Sequence, residues 1–172
     1  MVADSEISLD VLAQIRRVVF EAYANDFSEE DWQHTCGGWR VVVFDDGVPV
    51  AHAAVVPRAL QVADETFEAG YVEGVATTTQ RRRAGPGALV MESVTTLEQT
   101  AFELGALSTG SHTFYERFGW ERWRGPSFVR NGEALIRTED EDDGLMVLRC
   151  GPSADIDLAA RIVCEPRSGD DW

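Results

Sequence analysis

Apolar positions recur at two periods along this chain, and the switches between them predict its elements. Leu9, Leu12, Ile15, Val19, Phe20 and Tyr23 form a stripe at helical spacing behind Ser8, a suitable N-cap, so a helix is expected over residues 9–23. In Ser28-Glu29-Glu30-Asp31 the serine and aspartate resemble a capping arrangement for a short second helix. Trp39 to Phe44 and Val48 to Val56 read as strands joined at Asp46-Gly47, with residues 58–63 able to pair beyond the hairpin. Phe67 to Ala76 is apolar and β-prone with small residues interspersed, as in a buried strand. Leu89, Val90, Val94, Leu97, Ala101 and Leu104 return to helical spacing, with Pro86 in the first helical position and Gly105 at the expected C-cap. A short strand Ala106 to Thr109 and a helix running into Phe114 to Trp120 follow. The segments around 127–130, 145–149 and 158–164 read as further strands, with a polar loop from Glu139 to Gly144. Hairpins around one central crossover imply an α+β chain with a mixed, mostly antiparallel sheet flanked by helices.

Nothing divides the chain into repeats or linkers, and 172 residues with 44% hydrophobic content are enough for one core, so a single domain over 1–172 is expected. No apolar run reaches the roughly 18 residues of a membrane helix. The start Met1-Val2-Ala3-Asp4-Ser5-Glu6 is acidic rather than signal-like, so a cytoplasmic location is expected. Cys36, Cys150 and Cys164 are widely spaced and odd in number, which fits buried thiols better than a disulfide framework or a zinc site. The net charge of −15 argues against nucleic acid and favours approach of a cationic partner. Much of that charge serves solubility, but Asp26 to Asp31, Glu139 to Asp143 and Asp170-Asp171 form distinct acidic clusters.

The chemistry concentrates where Tyr71-Val72-Glu73-Gly74-Val75-Ala76 leads through Arg82-Arg83-Ala84-Gly85-Pro86-Gly87 into a helix. Unpaired N–H groups at a helix start, aligned with the positive end of its dipole, make an anion site. No Gly-Lys-Ser/Thr follows, and the spacing is not that of the dinucleotide fingerprint, which leaves a pyrophosphate loop of acyl-CoA type. Glu73 stands on the strand as a candidate proton acceptor or ammonium ligand, and Gly74 permits a bulge exposing the N–H of Val75 to polarise a carbonyl.

The order strand, Arg-x-x-Gly-x-Gly, helix, short strand and helix ending Phe114-Tyr115-Glu116-Arg117-Phe118-Gly119-Trp120 resembles the GNAT acyl-CoA N-acyltransferase superfamily. More narrowly, the chain is similar to aminoglycoside 2'-N-acetyltransferases. The carrying segments are Asp26 to Gly38, Ala51 to Val55, Tyr71 to Ala76, Leu104 to Ser108 and Gly169 to Trp172, in the same order over nearly the whole chain.

The resemblance implies a three-layer α/β/α GNAT fold and direct transfer from acetyl-CoA to the 2'-amino group of an aminoglycoside, kasugamycin-like ones included, without a metal. It implies a homodimer and a role in resistance. Val75, Ala76 and Thr77 would line the pantetheine arm, and Arg82, Arg83, Ala84, Gly85, Gly87 and Ala88 the pyrophosphate. Tyr115 would donate a proton to the departing thiolate. Antibiotic contacts would come from Asp26, Asp31, Glu73, Ser108, Asp142, Asp170 and the carboxylate of Trp172, with Asp140 and Asp143 crowding Asp142. Two features depart from the family pattern: the segment between Ser108 and Tyr115 is short, and Pro86 stands in the phosphate turn. His34, His52 and His112 show no catalytic pattern. The alternatives are a GNAT enzyme for another amine, such as a polyamine or protein lysine, and a non-catalytic module that sequesters the antibiotic.

Overall fold

The computed structural model describes residues 1–24, 26–81 and 85–172. These fall into two compact units, Met1–Val56 with Val72–Val94, and Pro57–Tyr71 with Thr95–Trp172. The chain has an α+β fold built on a mixed sheet with flanking helices.

The first unit begins with strand β1 (Val2–Ala3) and helix α1 (Leu9–Tyr23), where the Ser8 hydroxyl accepts the Val11 N–H at 3.4 Å. Helix α2 (Glu29–His34) carries a full capping box, the Ser28 hydroxyl accepting from the Asp31 N–H and the Asp31 carboxylate from the Ser28 N–H. Strand β2 (Trp39–Asp45) pairs antiparallel with β1 and with the first half of β3 (Val48–Val62). Both turn residues between them have positive φ, Asp46 at 49° and Gly47 at 78°, the backbone that a tight two-residue hairpin requires. Ile15, Val18, Val19 and Trp32 pack with Ala76 of β4 (Glu65–Thr77) into one apolar cluster.

Helix α3 (Pro86–Ala101) begins in the first unit and ends in the second. The second unit then adds β5 (Leu104–Ser108), α4 (His112–Glu116), β6 (Glu121–Arg122), β7 (Ser127–Asn131), β8 (Ala134–Arg137), β9 (Leu145–Arg149) and β10 (Ile162–Cys164). Its strands lie in the order β6-β9-β5-β4-β3-β10-β7-β8. β4 with β5 and β10 with β7 run parallel, whereas β5–β9, β6–β9, β10–β3 and β7–β8 are antiparallel. Leu60, Phe67, Tyr71, Leu104, Trp123, Leu145, Ile162 and Trp172 fill its core.

Four expectations change. Residues 58–63 do not form a separate strand, because β3 continues through them and Leu60, Gln61 and Val62 pair with β10. Helix α3 stops at Ala101, and Leu104 and Gly105 belong to β5 rather than to its last turn and cap. Leu104 fell on the helical period by coincidence: its burial comes from pairing with Ala69 of β4. The segment 158–164 is a strand only from Ile162, since a turn with the Ala160 N–H bonded to the Asp157 carbonyl precedes it. Cys36 is only half-buried, while Cys150 and Cys164 are buried, and all three thiols are free.

Candidate functional site

In the first unit, Glu73, Gly74 and Val75 sit where β4 leaves regular extended geometry. Gly74 has φ +56°, a left-handed conformation in which a Cβ would stand 3.0 Å from Thr35 Cγ2 and 3.7 Å from His52 Cε1. A side chain here would be torsionally strained and tight against Thr35. Glu73, Val75 and Thr77 are half-buried on either side, and Ala76 is buried in the α1–α2 cluster. Two side chains hold this stretch of backbone: His52 Nδ1 lies 2.9 Å from the Gly74 carbonyl, and the Tyr23 hydroxyl donates to the Val75 carbonyl at 3.0 Å.

The phosphate turn lies beyond β4. Arg82, Arg83 and Ala84 fall outside the described residues. Gly85 is exposed with φ +102°, and a Cβ placed there would meet nothing within 4 Å. Its carbonyl accepts the N–H groups of Ala88 and Leu89, closing the first turn of α3, with Pro86 and Gly87 between. Open space borders this left-handed glycine, and the dipole of a helix running from Pro86 to Ala101 favours negative charge at its start. Of the acidic candidates in this unit, Asp26 is exposed with its N–H on the Tyr23 carbonyl, and Asp31 has one oxygen committed to the Ser28 N–H.

The second unit carries Ser108, Tyr115, Asp142, Asp170 and Trp172. Ser108 ends β5, pairs with Leu145, and has its hydroxyl 2.6 Å from where a Cβ on Gly144 would lie. Tyr115 is buried on α4. Burial pushes its phenol up to about 12, against the opposing hydrogen bond to the Thr109 side chain, so the hydroxyl keeps its proton near neutral pH. Asp142 is held by Arg137 through both carboxylate oxygens and accepts from the Ser127 N–H at 2.9 Å and hydroxyl at 2.7 Å. The Arg137 bonds draw its carboxyl down to about 2, against desolvation, with Ser127 assisting.

The 3₁₀ turn Glu139–Glu141 places a different carboxylate near the chain's last residues. Burial raises the Glu141 carboxyl above its ordinary value, and the charges of Asp170 and Asp140 raise it further. Trp172 is buried, its indole donating to the Thr138 hydroxyl at 3.1 Å and its N–H to Asp170 Oδ1 at 3.1 Å. Arg167 ties this segment down through the Asp170 carbonyl at 2.6 Å and the Trp172 main-chain oxygen at 3.0 Å. These bonds dock Asp170 and Trp172 rather than leave them frayed.

Sequence reasoning missed Tyr23, His52 and Glu141. Tyr23 read only as the last member of a helical stripe, and Glu141 was one acid among many. His52 lacked any sequence neighbour to mark it, because its partners come from other strands.

The chain matches a family model for the acetyltransferase (GNAT) domain over residues 6–123. A curated relative, the aminoglycoside 2'-N-acetyltransferase of Mycolicibacterium fortuitum, is 38% identical over 176 residues, covering 100% of this chain and 90% of that protein. Among solved structures, the Escherichia coli GNAT family N-acetyltransferase YhbS in complex with CoA aligns with a TM-score of 0.68 at 15% identity, covering 92% of this chain and 86% of that one. A Brucella melitensis GNAT family acetyltransferase in complex with acetyl-CoA aligns at 0.59 and 17% identity, covering 86% of each chain. The GCN5-related N-acetyltransferase of Kribbella flavida, at 0.59 and 21% identity, is a longer chain: the alignment takes 70% of this one and 33% of that one. The chain belongs to the GNAT acetyltransferase family, and it is an acyltransferase by that membership.

Proposed function

We propose that this acyltransferase uses acetyl-CoA to acetylate the 2'-amino group of aminoglycoside antibiotics, kasugamycin-like compounds among them, by direct transfer in a ternary complex. The observation that carries this reading is the full-length match to an aminoglycoside 2'-N-acetyltransferase at 38% identity. Its support in the molecule is the left-handed Gly74 between Glu73 and Val75 and the glycine-bordered start of α3.

Acetyl-CoA supplies an activated acetyl group as a thioester. The turn at Arg82, Arg83, Ala84, Gly85, Gly87 and Ala88 would hold its pyrophosphate, and Val75, Ala76 and Thr77 its pantetheine arm. Glu73 would bind the acceptor ammonium and take, directly or through water, the proton whose loss frees the nitrogen lone pair for attack, and the second nitrogen proton, shed as the C–N bond forms, would pass to water. The Val75 N–H polarises the acetyl carbonyl. Tyr115 gives its phenolic proton as the C–S bond breaks, a role suited to a group still protonated well above neutral pH. Of the two protons that leave nitrogen, one replaces, through solvent, the proton Tyr115 gives to sulfur, and the other is released to solvent.

Asp26, Asp31, Ser108, Asp142, Asp170 and Trp172 recognise the drug in this proposal. Asp142, engaged by Arg137, orders the loop that presents the half-buried Glu141 near the exposed Asp170, and these acids receive the ammonium groups. A net charge of −15 draws such a polycation in. A single acetyltransferase domain over 1–172, a homodimeric assembly, a cytoplasmic location and a role in resistance complete the proposal; light scattering tests the assembly.

The test is CoA release by purified protein given acetyl-CoA and aminoglycosides with either an amino or a hydroxyl group at the 2' position. Turnover confined to the 2'-amino compounds is expected. Faster turnover of a polyamine or a lysine peptide would reassign the acceptor, and antibiotic binding without acetyl-CoA binding would leave a sequestering module.

A further inference from the structure

His52 is fully buried on β3 and tied at both ring nitrogens. Its Nε2 lies 3.1 Å from Arg40 Nη1, and Nδ1 lies 2.9 Å from the Gly74 carbonyl. A guanidinium can only donate, so Nε2 is the acceptor and the single ring proton sits on Nδ1, donated to Gly74. Arg40 is itself locked. It is buried, paired with Asp4 through Nε, donates to the Thr35 hydroxyl at 3.2 Å, and packs its guanidinium over the Trp32 ring at 4.8 Å. Asp4 completes the chain of contacts by accepting the Gly37 N–H at 3.2 Å.

The Gly74 carbonyl and the Val75 N–H belong to one peptide unit, which is trans and planar, so the two point in opposite directions. Turning the carbonyl into the buried imidazole therefore turns the N–H away from it. Tyr23 fixes the next carbonyl along. We infer that Asp4, Arg40 and His52 form a positioning relay whose purpose is to aim the Val75 N–H at the acyl carbonyl, with His52 a positioning residue for the transfer rather than a base. This rests on the acetyltransferase reading above. Burial, and secondarily the Arg40 charge, push the imidazole down to about 3 against the opposing pull of the Gly74 carbonyl and Asp4, so the relay keeps one proton arrangement throughout neutral pH.

The experiment compares the wild type, His52→Leu and His52→Asn in steady-state acetyl transfer. Asn carries an amide N–H close to the Nδ1 position and can still donate to Gly74. For His52→Leu, kcat is expected to fall about 100-fold, the scale for losing or misplacing one carbonyl-polarising donor, with both KM values within about threefold. His52→Asn is expected to recover about tenfold of that loss. A His52→Leu enzyme with kcat within about threefold of wild type overturns the inference, as does a loss that follows the unfolded fraction and is not rescued by Asn. Long-range ¹⁵N NMR of the wild-type imidazole gives an answer independent of mutant folding: Nδ1 protonated and Nε2 bare between about pH 5 and 8 is expected, and the reverse tautomer overturns it. A wild type that transfers acetyl to no amine removes the acetyltransferase reading and the relay's catalytic purpose together, whereas an active wild type with unaffected variants removes the relay alone.

Discussion

Glu98 lies against Gly70: a Cβ at that glycine would stand 2.2 Å from Glu98 Oε2, so the missing side chain on β4 makes the space the carboxyl occupies. The carboxyl is fully buried, with neither oxygen hydrogen-bonded among the described residues. Burial raises it well above the ordinary carboxylate range, which favours the neutral acid. Because the folded state holds this proton more tightly, the contribution is complete below about 4.5 and is lost as pH rises through the folded value. Glu98→Gln should flatten this fall on the alkaline side. Glu98→Met, which removes the unpaired polar group at similar volume, should gain about 1–3 kcal/mol near neutral pH in urea unfolding. A destabilised Met variant would mean that the carboxyl has a partner the geometry does not reveal.

His52 tilts stability the other way. Its folded value of about 3 lies below the ordinary 6.5, so the unfolded chain binds the proton first. Its contribution is complete above 6.5 and is lost as pH falls toward 3. Thermal melts of His52→Asn, which cannot take up that proton, should show a shallower loss of Tm across this window than the wild type does.

Tyr115→Phe should retain the packing of α4 and lose the proton donor. A drop in kcat of about 100-fold with little change in Tm is expected, the usual scale for removing one acid. In the wild type, deprotonation of this phenol should not limit kcat until pH approaches 12. A kcat unchanged by the Phe variant would assign the thiolate's proton to water.

Asp142 and Arg137 should behave as a coupled pair. Asp142→Asn weakens the bidentate contact and the grip on Ser127, and the double-mutant cycle with Arg137→Gln should show clear coupling in Tm. The carboxyl's depressed value means that its contribution is present above about 3.8 and is lost as pH falls toward 2. If Asp142 chiefly orders its loop, the antibiotic KM should rise more in Glu141→Gln than it does in Asp142→Asn at equal folded fraction.

The fold was legible where one period dominates a long segment. Helix α1 ran from Leu9 to Tyr23 as its stripe predicts, and the Asp46-Gly47 turn matched its hairpin because both residues tolerate positive φ. The boundary after α3 was not legible, since a strand residue buried by pairing can occupy a helical position, as Leu104 does. β8 was missed because its residues alternate between exposed and half-buried and leave little apolar signal. Glu73, Gly74 and Val75 could be singled out from one short motif. The relay behind them could not, because Asp4, Arg40 and His52 meet only once three separate segments have folded.

The acceptor position is the central claim, and product analysis tests it most directly. After incubation with acetyl-CoA and a 2'-amino aminoglycoside, NMR of the purified product should show one acetyl group on the 2' nitrogen, with CoA released in equal amount. An acetyl group on a different nitrogen, or no CoA release from a folded protein, would contradict the account.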